Sequence, residues 1–197
     1  MVSAESVLKF WLDEIGPVGW YDAADQLDQT IATKFETAWD AARNGAYGQW
    51  LCYPSGALAY LILMDQFPRN MFRGTAKSFA SDRQALAVAK SAIDRKWDLK
   101  IDEPARQFFY MPLMHSENLC DQERCVRLMS ERMPDHGTSN LLHAQAHREV
   151  IRTFGRFPYR NKALARNHTS VEREYVDAGG YGQTVRKLQA GAARTSA

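Results

Sequence analysis

Residues 57–75 read ALAYLILMDQFPRNMFRGT, and this stretch decides how the rest of the chain is arranged. From Ala57 to Met64 every residue is apolar. A helix that is apolar on all faces is typical of the centre of a fold. Proline disfavours helical geometry in the residue before it, so we expect this helix to end at Phe67-Pro68.

Apolar residues recur at helical spacing on both sides of this central helix. No stretch alternates between apolar and polar residues for long enough to predict a strand. The fold class is therefore all-α, built of antiparallel helical hairpins with short connections. The other predicted helices cover residues 3–15, 22–45, 81–97, 106–110, 116–129, 139–154 and 169–175. Thr169 with Glu172 predicts a capping box at the start of the last one.

Composition sets the broad class of protein. The chain has 197 residues, 45% hydrophobic and 24% charged, which predicts one domain over residues 1–178. Residues 179–197 are mostly Gly, Ala, Gln, Thr and basic residues, and we expect them to form a polar, loosely ordered tail. A formal charge of +2 gives no reason to expect nucleic acid or a membrane surface as a partner.

The cysteine count and the N-terminal sequence bear on localisation. The three cysteines have no disulfide-framework spacing, which favours reduced thiols. The N-terminal residues carry several charges and do not read as a signal peptide. The longest apolar run is too short to cross a bilayer. We therefore expect a cytoplasmic protein.

Asp65 stands at the edge of the buried surface predicted for the central helix. A buried carboxylate needs a cation or several hydrogen-bond donors. Arg69 is one possible partner, and Arg156 and Arg160 are the alternatives. The carboxylate could lock two loops together, or it could face a ligand or a metal ion.

Three histidines and one glutamate are candidates for chemistry. His115 follows an apolar run and precedes Glu117 at the start of a helix. His143 and His147 are four residues apart and share a helix face, with His147 expected to point inward. We consider His115, Glu117 and His147 as acid–base residues, against the alternative of satisfied core groups. The histidine pair could bind a metal, but no glutamate follows His143, so neither a metal nor a cofactor is predicted.

The loop at residues 156–161, RFPYRN, echoes residues 66–70, QFPRN. Arginine and asparagine side chains suit the recognition of carboxylates or phosphates. The echo suggests two matched loops on either side of one cleft. The predicted ligand-binding residues are Asp65, Gln66, Arg69, Asn70, Arg73, Arg156, Arg160 and Asn161.

Together these segments resemble a family of uncharacterised bacterial proteins. The resemblance is carried by residues 7–11, 63–76, 110–117, 147–148 and 155–161. It implies a tetratricopeptide-like, right-handed helical array, and it implies no reaction.

The leading functional hypothesis is a polar cleft between helices that binds a small anionic molecule or a peptide carboxylate. One alternative is a hydrolase or transferase with His115 or His147 as base and Glu117 as its partner. Another is a tetratricopeptide-like protein-interaction module in which the polar clusters only hold the fold together. The sequence does not predict an oligomeric state.

Overall fold

The computed structural model describes residues 2–22 and 24–195, and every regular element within them is helical. The all-α prediction is confirmed. The chain divides into two compact units, Met1–Pro112 and Leu113–Ala197, called unit 1 and unit 2 below. No helix in the described part of the chain is long and apolar enough to span a membrane. A single domain over residues 1–178 stays a prediction.

Unit 1 contains the central apolar helix and the helices around it. Its α-helices are α1 (Ala4–Leu8), α2 (Gly16–Gly19), α3 (Asp25–Arg43), α4 (Pro54–Leu61), α5 (Phe67–Met71) and α6 (Asp82–Asp94), and α7 (Met111–Met114) lies across the division. Two π-helices extend α1 and α4, over Lys9–Ile15 and Ile62–Gln66. Short 3-10 helices cover Gly48–Cys52, Ala76–Phe79, Asp98–Lys100 and Ala105–Phe109.

The prediction of a central, fully buried helix is confirmed. All residues from 56 to 68 are buried. Phe67 packs against the rings of Trp11 and Phe35, with ring centroids 5.3 and 4.7 Å apart. The hydrophobic core of unit 1 therefore forms around this segment.

The predicted end of the central helix at Phe67-Pro68 is wrong. The chain stays helical through the π-helix Ile62–Gln66 and into α5, where Pro68 occupies the first turn. A proline is tolerated there because its missing N–H has no partner to lose in the first turn. As a result, Asp65 and Arg69 lie on one continuous helical path.

Unit 2 is built on two long helices and a helical C-terminal segment. Its elements are α8 (Leu119–Arg132), α9 (Thr138–Phe154), a 3-10 helix (Pro158–Arg160), α10 (Ser170–Asp177) and α11 (Gly180–Thr195). The predicted capping box is present, because Thr169 and Glu172 each accept the other's main-chain N–H. Helix α9 packs against both α8 and α11.

The C-terminal segment differs from the loosely ordered tail that its composition predicts. Residues 180–195 form α11, and Tyr181 packs against the small core of Val150, Ile151 and Phe157. Residues 196 and 197 lie outside the described residues. The prediction differs because it used the average composition of the segment, whereas the contacts of the single residue Tyr181 hold the start of the helix against the core.

Candidate functional site

In unit 1, the predicted residues around Asp65 form an internal ion-pair network. Asp65 is 1% exposed, and its Oδ1 lies 3.2 Å from Nη2 of Arg69. The same Nη2 lies 2.8 Å from Oδ1 of Asp82. Gln66 donates from Nε2 to Oδ2 of Asp65 at 2.5 Å. Arg69 is thus a cation partner of Asp65, and a structural role accounts for this part of the predicted site.

Arg73 and Asn70 both bind Asp28 on α3. Arg73 donates from Nε and Nη2 to the two oxygens of Asp28 at 2.9 and 3.0 Å. Asn70 donates from Nδ2 to Oδ1 at 2.8 Å. These three residues line an open cleft of about 460 Å³ in unit 1, together with Asp25 and Lys77. A ligand in this cleft would have to compete with Asp28 for the guanidinium.

In unit 2, Arg156 and Asn161 are part of a second internal network. Arg156 donates from Nε and Nη2 to both oxygens of Glu172, at 2.6 and 2.8 Å. Asn161, fully buried, lies 3.4 Å from Glu172 Oε2 through its Nδ2. The hydrogen bonds from Arg156 are the main reason that the pKa of Glu172 falls to about 2. This network ties the loop after α9 to α10.

Glu117 also holds this loop in place. Arg166 donates from Nη1 and Nη2 to its two oxygens at 2.7 and 2.9 Å. The main-chain N–H of Phe157 donates to Oε1 at 2.8 Å. Burial alone would raise the pKa of Glu117, but the hydrogen bonds from Arg166 and Phe157 lower it. Both oxygens are engaged, so the predicted role as the carboxylate partner of a catalytic histidine is not favoured by the geometry.

A different arrangement surrounds His147 in the middle of α9. Its Nδ1 lies 2.8 Å from the main-chain oxygen of His143 and 3.1 Å from the hydroxyl of Tyr181 on α11. The same hydroxyl lies 2.7 Å from Nδ1 of His143. We call His143, His147 and Tyr181 the histidine–tyrosine cluster.

The main-chain oxygen fixes the direction of these hydrogen bonds. A carbonyl oxygen only accepts, so Nδ1 of His147 carries the ring proton. The Tyr181 oxygen shares this proton with the main-chain oxygen as a second acceptor, and we assign its own proton to Nδ1 of His143, the nearer imidazole nitrogen. This assignment places the ring proton of His143 on Nε2 and leaves the lone pair of His147 on its Nε2.

Both histidines of the cluster are disposed to be neutral. Burial is the main cause that lowers the pKa of His147 to about 3, and the positive charges of His115, Arg160 and His143 lower it further. Burial also lowers the pKa of His143 and raises that of Tyr181. At neutral pH the cluster therefore consists of uncharged rings joined by directed hydrogen bonds.

His115 and Arg160 lie around this cluster. The His115 and His147 rings meet edge to face with centroids 6.3 Å apart. The guanidinium carbon of the buried Arg160 lies 4.5 Å from the centroid of Phe157, and Phe157 packs against His147 at 5.4 Å. The surroundings of His147 are therefore aromatic and carry cationic groups.

The structure places the predicted site residues in two groups. Asp65, Gln66, Arg69, Asn70 and Arg73 are in unit 1, and His115, Glu117, His147, Arg156, Arg160 and Asn161 are in unit 2. Their joint role in one cleft stays a prediction. Among the described residues, no group of three His, Cys, Asp or Glu side chains has an arrangement that could hold a metal ion.

Sequence reasoning missed Tyr181, Arg166 and Glu172 as members of these networks. Tyr181 lies in the segment predicted to be a loosely ordered tail, and Glu172 was predicted only to cap a helix. An aromatic residue directly after Gly179-Gly180 was the available signal for an anchored helix.

The fold and these contacts define an all-helical protein with buried ion-pair networks and a histidine–tyrosine cluster. The chain belongs to the DUF924 family, described as bacterial protein of unknown function, whose sequence model matches residues 7–180. The chain is also similar to a solved structure, the protein of unknown function ATU0120 from Agrobacterium tumefaciens. The two are 38% identical with a TM-score of 0.84, over 89% of this chain and 97% of the other. No curated protein matches the chain.

Proposed function

We propose that unit 2 binds a small anionic molecule that also carries an O–H or N–H group, beside His147. Arg160 supplies the positive charge for the anionic part, and the His115 ring lies beside His147. His147 offers Nε2 as an acceptor for the O–H or N–H. A peptide carboxylate is the larger ligand of the same chemistry.

The observation that carries this proposal is the orientation of the His147 ring. Both of its hydrogen bonds to described residues are made at Nδ1, which points the lone pair of Nε2 to other partners. The charges of His115 and Arg160 disfavour an added proton on this ring. Burial is the larger cause of this resistance, and the cationic Arg160 that adds to it would attract an anion.

The predicted residues of unit 1 have a lesser place in the proposal. Asp65, Arg69 and Arg73 each have an oppositely charged partner within unit 1. We retain Asn70 and Arg73 as ligand-binding residues because they line the open cleft. The other residues of this group are better explained as supports of the central helix.

The finer fold class and the location also belong to the proposal. A right-handed, tetratricopeptide-like array requires consecutive helices that pack against each other, and the contact between α8 and α9 supports it. Cys52, Cys120 and Cys125 form no disulfide in the described part of the chain, which fits a reducing compartment such as the cytoplasm.

The proposal is tested with pairs of anions that differ by one O–H group. A ligand that binds only the native state raises its melting temperature. Hydrogen phosphate should raise it more than sulfate, and malate more than succinate, because only the first of each pair can donate to Nε2 of His147. His147→Gln should remove the difference within each pair.

His136→Gln is the matched control, since His136 is exposed on the loop between α8 and α9. It should respond to all four anions like the unaltered chain. Equal shifts within each pair, or a His147→Gln chain that still discriminates, would contradict the proposal.

A further inference from the structure

We infer that His147, Tyr181 and His143 form a proton relay, which makes the proposed binding site an acid–base site. Nε2 of His147 takes a proton from the O–H or N–H group of the bound molecule, and His143 receives the charge at the other end. The identity of the substrate class rests on the proposed function, whereas the relay rests on contacts within the chain.

The relay follows from two short contacts to one hydroxyl. The Tyr181 oxygen lies 3.1 Å from Nδ1 of His147 and 2.7 Å from Nδ1 of His143. Both distances are within the range for direct proton transfer along hydrogen bonds. The main-chain oxygen of His143, 2.8 Å from Nδ1, fixes the resting tautomer of the first ring and favours the return of this proton after transfer.

Proton balance is simple. As Nε2 of His147 gains the substrate proton, its Nδ1 proton moves to the Tyr181 oxygen and the Tyr181 hydroxyl proton moves to Nδ1 of His143. His147 and Tyr181 return to their neutral states, and His143 becomes an imidazolium. The deprotonated oxygen or nitrogen of the substrate is then the nucleophile for a later step. The reverse shift returns the proton to the product.

The relay resolves a conflict in the surroundings of His147. This ring is faced by His115 before α8, by Arg160 in the 3-10 helix and by His143 on its own helix, all of which oppose its protonation. Tyr181 is faced by Tyr159 and Tyr175. Moving the charge to His143 removes it from the most unfavourable position, so His147 can act as a base without storing the proton.

Diethyl pyrocarbonate provides a test that needs no knowledge of the substrate. Its carbonyl carbon is attacked by the lone pair of a neutral imidazole, which releases ethyl carbonate and requires loss of the other ring proton. In His147 that proton is the one on Nδ1, which the relay removes. The rate is measured at His147 by peptide mapping and is compared with His136 in the same sample.

Tyr181→Phe keeps the aromatic packing and removes the relay oxygen. The carbethoxylation rate at His147 should fall by at least about tenfold, a threshold set below the range of about 10²- to 10⁴-fold for general acid–base assistance. His143→Gln removes the final acceptor and should slow His147 in the same way. The rate at His136 should be unchanged in both variants.

A merely structural role of Tyr181 has the opposite signature. If the hydroxyl only holds α11 over α9, its loss exposes His147 and the rate rises. A rise, an unchanged rate, or no reaction of His147 in the unaltered chain would each overturn the relay. A flat anion titration with a slowed Tyr181→Phe chain would overturn the proposed ligand class and leave the relay standing.

Discussion

The Asp65 network of unit 1 and the histidine–tyrosine cluster of unit 2 use buried polar side chains in different ways. In the first, ion pairs dominate, with Arg69 between Asp65 and Asp82. In the second, the three side chains are neutral and are joined by directed hydrogen bonds. The comparison shows two uses of polar residues. The ion pairs around Asp65 fix the position of the central helix, whereas the hydrogen bonds at His147 keep the lone pair of its Nε2 available.

The contrast also has an energetic side. A buried ion pair is costly to break because the remaining charge keeps its desolvation penalty. A neutral histidine loses much less when one hydrogen bond is removed. The Asp65 network should therefore respond strongly to single substitutions, and the histidine–tyrosine cluster should respond mainly to pH.

The largest effect is expected for Asp65→Ala. It leaves Arg69 with Asp82 alone and opens a polar hole in the central helix, so the free energy of unfolding should fall by about 3–5 kcal/mol. Urea titration followed by far-UV circular dichroism measures this loss. Asp82→Ala is the matched control, because the Asp82 side chain is 24% exposed, and its loss should be about 1 kcal/mol.

If Asp65→Ala and Asp82→Ala lowered the free energy of unfolding equally, burial of Asp65 would not explain its contribution to stability. The ion-pair network would then be an ordinary surface feature, and the comparison between the units would have no energetic basis.

A medium effect is expected for His147→Gln as a function of pH. The pKa of His147 is about 3 in the folded chain and 6.5 in its unperturbed state, so the unfolded state binds more protons between these values. Stability in the unaltered chain therefore falls as the pH drops below 6.5. By pH 5 the contribution of His147 to this fall should be about 2 kcal/mol.

The measurement is the melting temperature between pH 7 and pH 5. The His147→Gln chain should show a shallower dependence, and His136→Gln should follow the unaltered chain. This window lies above the one in which Glu172 is protonated, because the pKa of Glu172 moves from 4.5 down to about 2. Parallel curves for all three chains would show that His147 is not the buried neutral ring described above.

The smallest effect is expected for Arg73→Ala. Arg73 is half exposed, and an exposed ion pair contributes less than about 1 kcal/mol. The free energy of unfolding should change by no more than this, in contrast to Asp65→Ala. A larger loss would mean that the Asp28 pair supports unit 1 as strongly as the buried network does.

Much of the fold could be predicted from periodicity and caps. The apolar run from Ala57 to Met64 defined the core helix, and Thr169 with Glu172 defined the start of α10. Partners far apart in sequence could not be predicted, because pattern rules only connect residues within a few turns. Arg166 lies 49 residues from Glu117, and nothing in either local sequence points to the other.

Only part of the candidate site could be predicted, because pattern rules connect only residues that are close in sequence. The spacing of His143 and His147 correctly placed both on one face of α9. Their link to Tyr181 depends on how the chain returns after α10, which composition does not reveal. Pro68 shows a different error. The rule that a helix ends before a proline was applied there, but the π-helix Ile62–Gln66 leads into α5, where Pro68 lies in the first turn and is tolerated.

The return of the chain to α9 depends on two residues that have no side chains. Gly179 and Gly180 both have positive φ, at 104° and 51°, a backbone state that other residues adopt at a cost. A substitution at either position would strain this turn, and any resulting shift of α11 would move the Tyr181 hydroxyl relative to both imidazoles. The geometry of the histidine–tyrosine cluster thus depends in part on Gly179 and Gly180, which have no reactive groups. A comparison of relatives that considered only polar side chains would overlook these two positions.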